Sequence, residues 1–194
     1  MDAKIIAGIL AAGGAALAAG GVYRMNKKTG YFKKGNSVRY DVSRIPFKKT
    51  SPLKGKTVVF LGSSVTKGFA AHHNAFAEYI AKKDSCICIK EAVNGTTLID
   101  NCEDSYIERM RDNLDPERQV DLFICQLSTN DATRNSPLGE ISESRDLDSF
   151  DVKTVCGAIE YIIAYAKETW HCRVMFYTNP QYDSDTYAKM VEAL

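Results

Sequence analysis

An excess of charge of either sign is missing: 25 lysines and arginines stand against 24 aspartates and glutamates, a net charge of +1. That balance offers no electrostatic footprint for nucleic acid or for an acidic polymer, so nucleic-acid binding is not expected. Cysteine is too sparse for a disulfide scaffold at 194 residues. Cys86, Cys88, Cys102, Cys125, Cys156 and Cys172 fall in apolar runs such as Ser85-Cys-Ile-Cys-Ile and read as buried free thiols. Cys86 and Cys88 have one residue between them, which puts both on one face of a strand and differs from the two-residue gap of zinc and redox motifs. Neither a metal nor a cofactor is expected. The length fits one domain plus extras, by the usual roughly 100 to 200 residues per domain.

What is present divides into three stretches: 1–23, 24–55 and 56–194. Ile5 to Tyr23 carries no charge and is followed by Arg24, Lys27, Lys28, Lys33 and Lys34. At about 1.5 Å rise per residue this run nearly crosses a hydrocarbon core of roughly 30 Å, so it reads as a membrane anchor. The basic residues after it favour a cytoplasmic location for the rest of the chain. Ala16-Leu-Ala18 also offers a small-residue cleavage pattern, which keeps a signal peptide with export as the alternative. The five glycines in the run leave room for a soluble helix packed on a partner. Residues 24–55, polar and basic with Pro46 and Pro52, read as a linker.

From Lys56 short apolar runs alternate with amphipathic stretches, the pattern of a parallel sheet with helices on both faces. Strands are expected at Thr57–Leu61, Cys86–Ile89, Val120–Leu127 and Arg173–Tyr177. Helices are expected at 67–83, with Phe69, Phe76 and Ile80 on one face, and at 98–113, 152–168 and 182–194. Strand three should lie beside strand one, and reactive groups collect at the carboxyl ends of such strands. There the chain places Gly62-Ser-Ser-Val-Thr-Lys-Gly68 after strand one, Asn94-Gly95-Thr96-Thr97 after strand two and Ser128-Thr129-Asn130-Asp131 after strand three. Ser64 sits in a tight strand-to-helix turn. The backbone amides of Ser64 and Gly95 and the side-chain amide of Asn130 could converge as an oxyanion hole.

These three blocks resemble the SGNH hydrolases, also called GDSL-like lipases and esterases, over roughly Lys56 to Leu194. The resemblance implies a three-layer αβα sandwich with a flavodoxin-like parallel sheet and a small-molecule ester substrate, with short acyl groups on carbohydrates or small lipids as the pool. It makes Ser64 the nucleophile and gives Gly95 and Asn130 the oxyanion roles. Ser63 stands where the family usually has aspartate, and Ser128 where it has glycine. The family's histidine, with an aspartate three residues before it after a last strand, has no counterpart in this sequence. Taken along a continuous helix, His73 lies about 13 Å from Ser64. His171 precedes strand four, roughly 15 to 20 Å from the site, and His72 and His73 edge a helix face. The expectation is a domain lacking its last strand and its base, which alone turns over esters poorly; a pseudoenzyme keeping the pocket for binding is the other account.

Two further readings stay open. The hydroxyls of Ser63-Ser-Val-Thr-Lys-Gly68 could cradle a phosphate, as in flavodoxin-like flavin binders, or the chain could be a membrane-tethered interaction module. The polar segment from Ala132 to Phe150 is long enough to be functional. It is expected to overhang Ser64, with Leu138, Ile141, Leu147 and Phe150 shaping the acyl or leaving-group pocket together with Ser63, Asn94 and Asp131. A mobile surface loop is the plain alternative. The sequence does not specify an oligomeric state.

Overall fold

Alternation within the first strand sets the architecture. The computed structural model describes residues 23–24, 27–28, 30–180 and 183–194. In it β1 (Thr57–Gly62) is buried at all but its first residue. Successive side chains of a strand point to opposite faces: Val59 and Leu61 enter a large core, while Val58 and Phe60 enter a smaller one with Ala77. A strand apolar at nearly every position has to be covered on both sides.

Its backbone is satisfied by parallel neighbours, β2 (Ile87–Ala92) on one edge and β3 (Leu122–Gln126) on the other, with β4 (Arg173–Tyr177) beyond β3. The order β2-β1-β3-β4, all parallel, is the one expected from the sequence. Gly62 is opposite Ala92 and Leu61 opposite Cys125, so the carboxyl ends of the three adjoining strands lie at one level.

Helices α4 (Tyr106–Asn113), α6 (Val155–Trp170) and α7 (Asp185–Ala193) supply buried residues to the large core, and α3 (Phe76–Asp84) covers the other face through Phe76, Ala77 and Ile80. Two short helices complete this part, α2 (Ser64–Lys67) and α5 (Thr129–Thr133). Helix starts follow capping chemistry: the Ser105 hydroxyl accepts the Glu108 amide, and the Thr154 hydroxyl accepts the Gly157 amide. Trp170 closes the end of α6 by stacking on Phe123, ring centroids 5.5 Å apart.

Several expected boundaries change. The helix over 67–83 is not continuous: it breaks into α2 and α3, because Gly68 takes a left-handed conformation and Ala70, His72 and His73 have positive φ. The separation of about 13 Å between His73 and Ser64, which holds along a continuous helix, therefore does not apply to this broken segment. The helix over 98–113 starts only at Tyr106; in the run before it the Thr97 hydroxyl bonds the Ile99 carbonyl and the Asn101 side chain, and Ser105 bonds Asp100, which competes with helix formation. Strand two runs on to Ala92, strand three is shorter at both ends, and the third helix spans Val155–Trp170. Of the six thiols, Cys102 is exposed and Cys86 and Cys88 are half-buried, so only Cys125, Cys156 and Cys172 are buried as expected. Burial pushes the Cys88 thiol up to about 11.

The chain divides into two compact units, Met1–Asp41 with Ala70–His72, and Val42–Phe69 with His73–Leu194. In the first, the stretch read as linker forms α1 (Tyr31–Gly35) and a 3-10 turn at Val38–Tyr40, and the His72 amide donates to the Asn36 side chain at 2.8 Å. In the second, a 3-10 turn at Val42–Arg44 precedes the sheet. The apolar segment Ile5–Tyr23 lies, Tyr23 apart, outside the described residues. Among the described residues no helix is long and apolar enough to cross a membrane.

Candidate active site

Ser64 is the first residue of α2, directly after the turn that leaves β1. Its amide lies in the first turn, where a helix provides no acceptor, and its half-buried hydroxyl has no hydrogen-bond partner among the described residues. The turn is held from inside. Ser63 and Thr66, both fully buried, direct the Ser63 N–H and the Thr66 hydroxyl to the Oε1 of Gln126 at 3.0 and 2.8 Å. Gly62 permits this close approach, since a Cβ there would stand 1.8 Å from the Thr66 hydroxyl oxygen.

The second and third blocks meet at Thr96. Its carbonyl accepts the Asn130 Nδ2 at 2.9 Å and the Ser128 hydroxyl at 3.3 Å, while Ser128 accepts the Asn130 backbone amide at 3.1 Å as the cap of α5. Asn130 thereby uses one N–H of its side-chain amide and keeps a second. Gly95 has φ of +78° with open space around it, so its role is the turn conformation and not a close contact. Its carbonyl is taken by Arg134 Nη2 at 2.8 Å, and its amide has no acceptor among the described residues.

Arg109, 2 % exposed, joins the blocks from below. Its guanidinium donates to the Gly62 carbonyl at 3.0 Å, the Thr96 hydroxyl at 3.1 Å, the Asp104 carbonyl at 2.9 Å and Glu91 Oε1 at 3.2 Å, and it lies over the Tyr106 ring at 5.2 Å. The sequence reading missed this residue, although a charged side chain one position from Met110 on the inward face of α4 was a visible signal. Gln126 was missed too, despite being the single amide within the apolar run Leu122–Leu127.

The remaining expected residues fall as follows. Ser63 and Asp131 are buried and tied to protein groups. Asp131 accepts the Leu98 and Ile99 amides at 2.7 and 3.3 Å, and burial raises its pKa against the lowering by those bonds. Asn94 is exposed at the turn. Leu138, Leu147 and Phe150 pack against the large core, while Ile141 is 66 % exposed. Phe150 lines a cleft of about 590 Å³ with Ser142, Glu160, Ile163 and Lys167, and neither Ser64, Gly95 nor Asn130 lines it. His171 caps α6 in a left-handed conformation, its ring Nδ1 3.0 Å from the Lys167 carbonyl, ahead of β4 and so at the far end of the strands from Ser64. Among the described residues no cluster of histidine, cysteine and carboxylates is placed to hold a metal.

The parallel order, the helices on both faces and the three loops at one edge define a flavodoxin-like αβα fold of the kind found in SGNH hydrolases. Solved structures agree. A protein from Bacteroides ovatus assigned as a GDSL-like lipase superposes with TM-score 0.53 at 16% identity over 72% of this chain and 80% of that one. A family two carbohydrate esterase from Clostridium thermocellum, solved with cellohexaose, gives TM-score 0.52 at 14% identity over 76% of this chain and 50% of that one. Another structure, 23% identical with TM-score 0.51, is matched over 66% of this chain and 58% of its own length. The chain thus spans 50 to 58% of the length of some of its structural neighbours. No protein-family model matches the sequence, and no curated protein matches it.

Proposed function

We propose that this chain carries the nucleophile and oxyanion-binding part of a serine ester hydrolase acting on a small acyl ester, with short acyl groups on carbohydrates or small lipids as the candidate pool. The Ser64 oxygen would bond the acyl carbon, the alcohol would leave with a proton, and water would release the acid from the acyl-serine. The observation that carries the reading is a set of unused donors at one sheet edge. The Ser64 and Gly95 amides have no acceptor among the described residues, and the Asn130 side chain keeps one N–H. Donors left free at a rigid edge suit charge that develops on a carbonyl oxygen, and removing one such donor typically costs about 10² to 10³ in kcat. The fold shared with a GDSL-like lipase and a carbohydrate esterase supports the same chemistry.

The phosphate-cradle alternative fits less well. It needs outward hydroxyls, whereas Ser63 and Thr66 are fully buried and hydrogen-bonded to Gln126. The test is labelling with an alkyl fluorophosphonate, which loses fluoride as the serine oxygen bonds phosphorus, followed by peptide mass mapping. Adduct at Ser64, absent in Ser64→Ala, is the expected result. Adduct formation elsewhere only, or stoichiometric flavin uptake, refutes the proposal.

A further inference from the structure

We infer that Gln126 is a positioning residue for the nucleophile: its side-chain carbonyl holds the turn that presents Ser64 by gripping the residues on either side of it. The inference rests on the ester-hydrolase reading for its consequence and on geometry alone for the grip. Gln126 is the last residue of β3 and is fully buried. Its Oε1 accepts the Ser63 N–H at 3.0 Å and the Thr66 hydroxyl at 2.8 Å. A backbone N–H can only donate, so the atom facing Ser63 is the oxygen of the amide and not its nitrogen.

The direction of the remaining bonds follows. Thr66 spends its single hydroxyl proton on Oε1, so the Tyr177 hydroxyl, 2.7 Å away, donates to Thr66. Burial pushes the Tyr177 pKa well up, which keeps that proton in place. One directed chain therefore runs from β4 through α2 to β3, and the residues it fixes bracket Ser64. Gly62 completes the fit, because a Cβ at that position would come within 2.9 Å of Gln126 Oε1.

The other half of the amide shows that stability alone does not account for this residue. Gln126 Nε2 is buried with no hydrogen-bond partner among the described residues, and an unsatisfied buried donor is disfavoured against an apolar side chain of the same size. A methionine would fill the same space without that penalty. What it would lack is the oxygen that holds Ser63 and Thr66.

The test compares the parent chain with Gln126→Met, which removes the oxygen, and Gln126→Glu, which keeps one. Two readouts are taken: the rate of Ser64 labelling by the fluorophosphonate, and amide hydrogen exchange of peptides spanning 62–69. Misplacing a reacting group by about 1 Å can cost on the order of 10²-fold, so Gln126→Met should be labelled about 10 to 10² times more slowly. Exchange over 62–69 should be faster in the same variant, and Gln126→Glu should recover most of both. Labelling of Gln126→Met within about twofold of the parent, or unchanged exchange over 62–69, overturns the inference. A parent chain that takes no label at Ser64 removes the ester-hydrolase reading instead, and the grip then stands or falls on exchange. Should Gln126→Met fail to fold, Thr66→Val removes one of the three bonds to the same oxygen, the shortest of them, at constant shape. It should also speed exchange over 62–69; no change there overturns the inference as well.

Discussion

Replacing Arg109 by methionine tests whether one buried guanidinium organises the carboxyl edge of the sheet. The side chain of Arg109 is 3 % exposed and that of its partner Glu91 is 20 % exposed. Methionine fills similar volume but leaves Glu91 without its cation and the Gly62 carbonyl and Thr96 hydroxyl without their donor. Breaking a buried ion pair by removing one partner costs about 3 to 5 kcal/mol, and each orphaned polar group about 1 to 3 kcal/mol. These overlap, because one side chain supplies all the bonds, so the expected loss is about 3 to 5 kcal/mol and not their sum. Against a typical domain stability of about 5 to 15 kcal/mol this is a large fraction. Urea unfolding followed by the fluorescence of Trp170, the single tryptophan and 7 % exposed, measures it directly. Arg109→Lys keeps the charge but cannot reproduce the planar fork, so it should fall between parent and methionine. In a double-mutant cycle with Glu91→Gln, the Arg109 and Glu91 changes should be coupled. An Arg109→Met chain within about 1 kcal/mol of the parent, with no coupling to Glu91, would refute the organising role.

Asp121 predicts a pH effect: the Lys56 ammonium and then the Thr57 amide hold its carboxyl below the usual range. A lowered folded pKa gives stability that is present above the unfolded value of about 3.9 and is lost as pH falls through the folded one. Asp121→Asn should therefore flatten the acid limb of a thermal-melt series below about pH 4; an unchanged limb rejects that assignment. Gly68 has φ of +80°, and a Cβ there would stand 2.6 Å from the Asn74 backbone, so Gly68→Ala should destabilise by about 1 to 3 kcal/mol in the same urea assay. A neutral result means the turn can relax. The Ser64 hydroxyl has no partner among the described residues, and a serine without a positioned base is a weak nucleophile. Added imidazole, which cleaves p-nitrophenyl acetate by itself, should therefore raise the rate more in the parent chain than in Ser64→Ala; equal acceleration in both would trace the effect to imidazole alone.

Much of the fold was legible in order along the chain. Short β-branched and aromatic runs at Thr57, Val120 and Arg173 are strands because such residues suit a sheet buried on both faces, and their parallel order follows from the intervening helices. Helix boundaries were less legible. The break at Gly68 to His73 depends on positive φ at non-glycine residues, which local preference does not announce. The late start of α4 depends on the Leu98 and Ile99 amides finding Asp131, a residue 33 and 32 positions further along.

The sequence by itself determined which chemistry could be assembled. Serine, glycine and asparagine follow three successive apolar runs, and periodicity alone places each at a strand end, since strand ends are where apolar runs give way to turn residues. The tertiary structure decided what holds them there. Arg109, Gln126, Thr66 and Tyr177 come from separate elements, and of the four only Thr66 falls within one of the three blocks. Those of their partners at Gly62, Thr96, Ser63 and each other lie between 13 and 111 residues away. A buried polar group must find its partner wherever the packed chain brings one, and that pairing is set by which strands lie side by side.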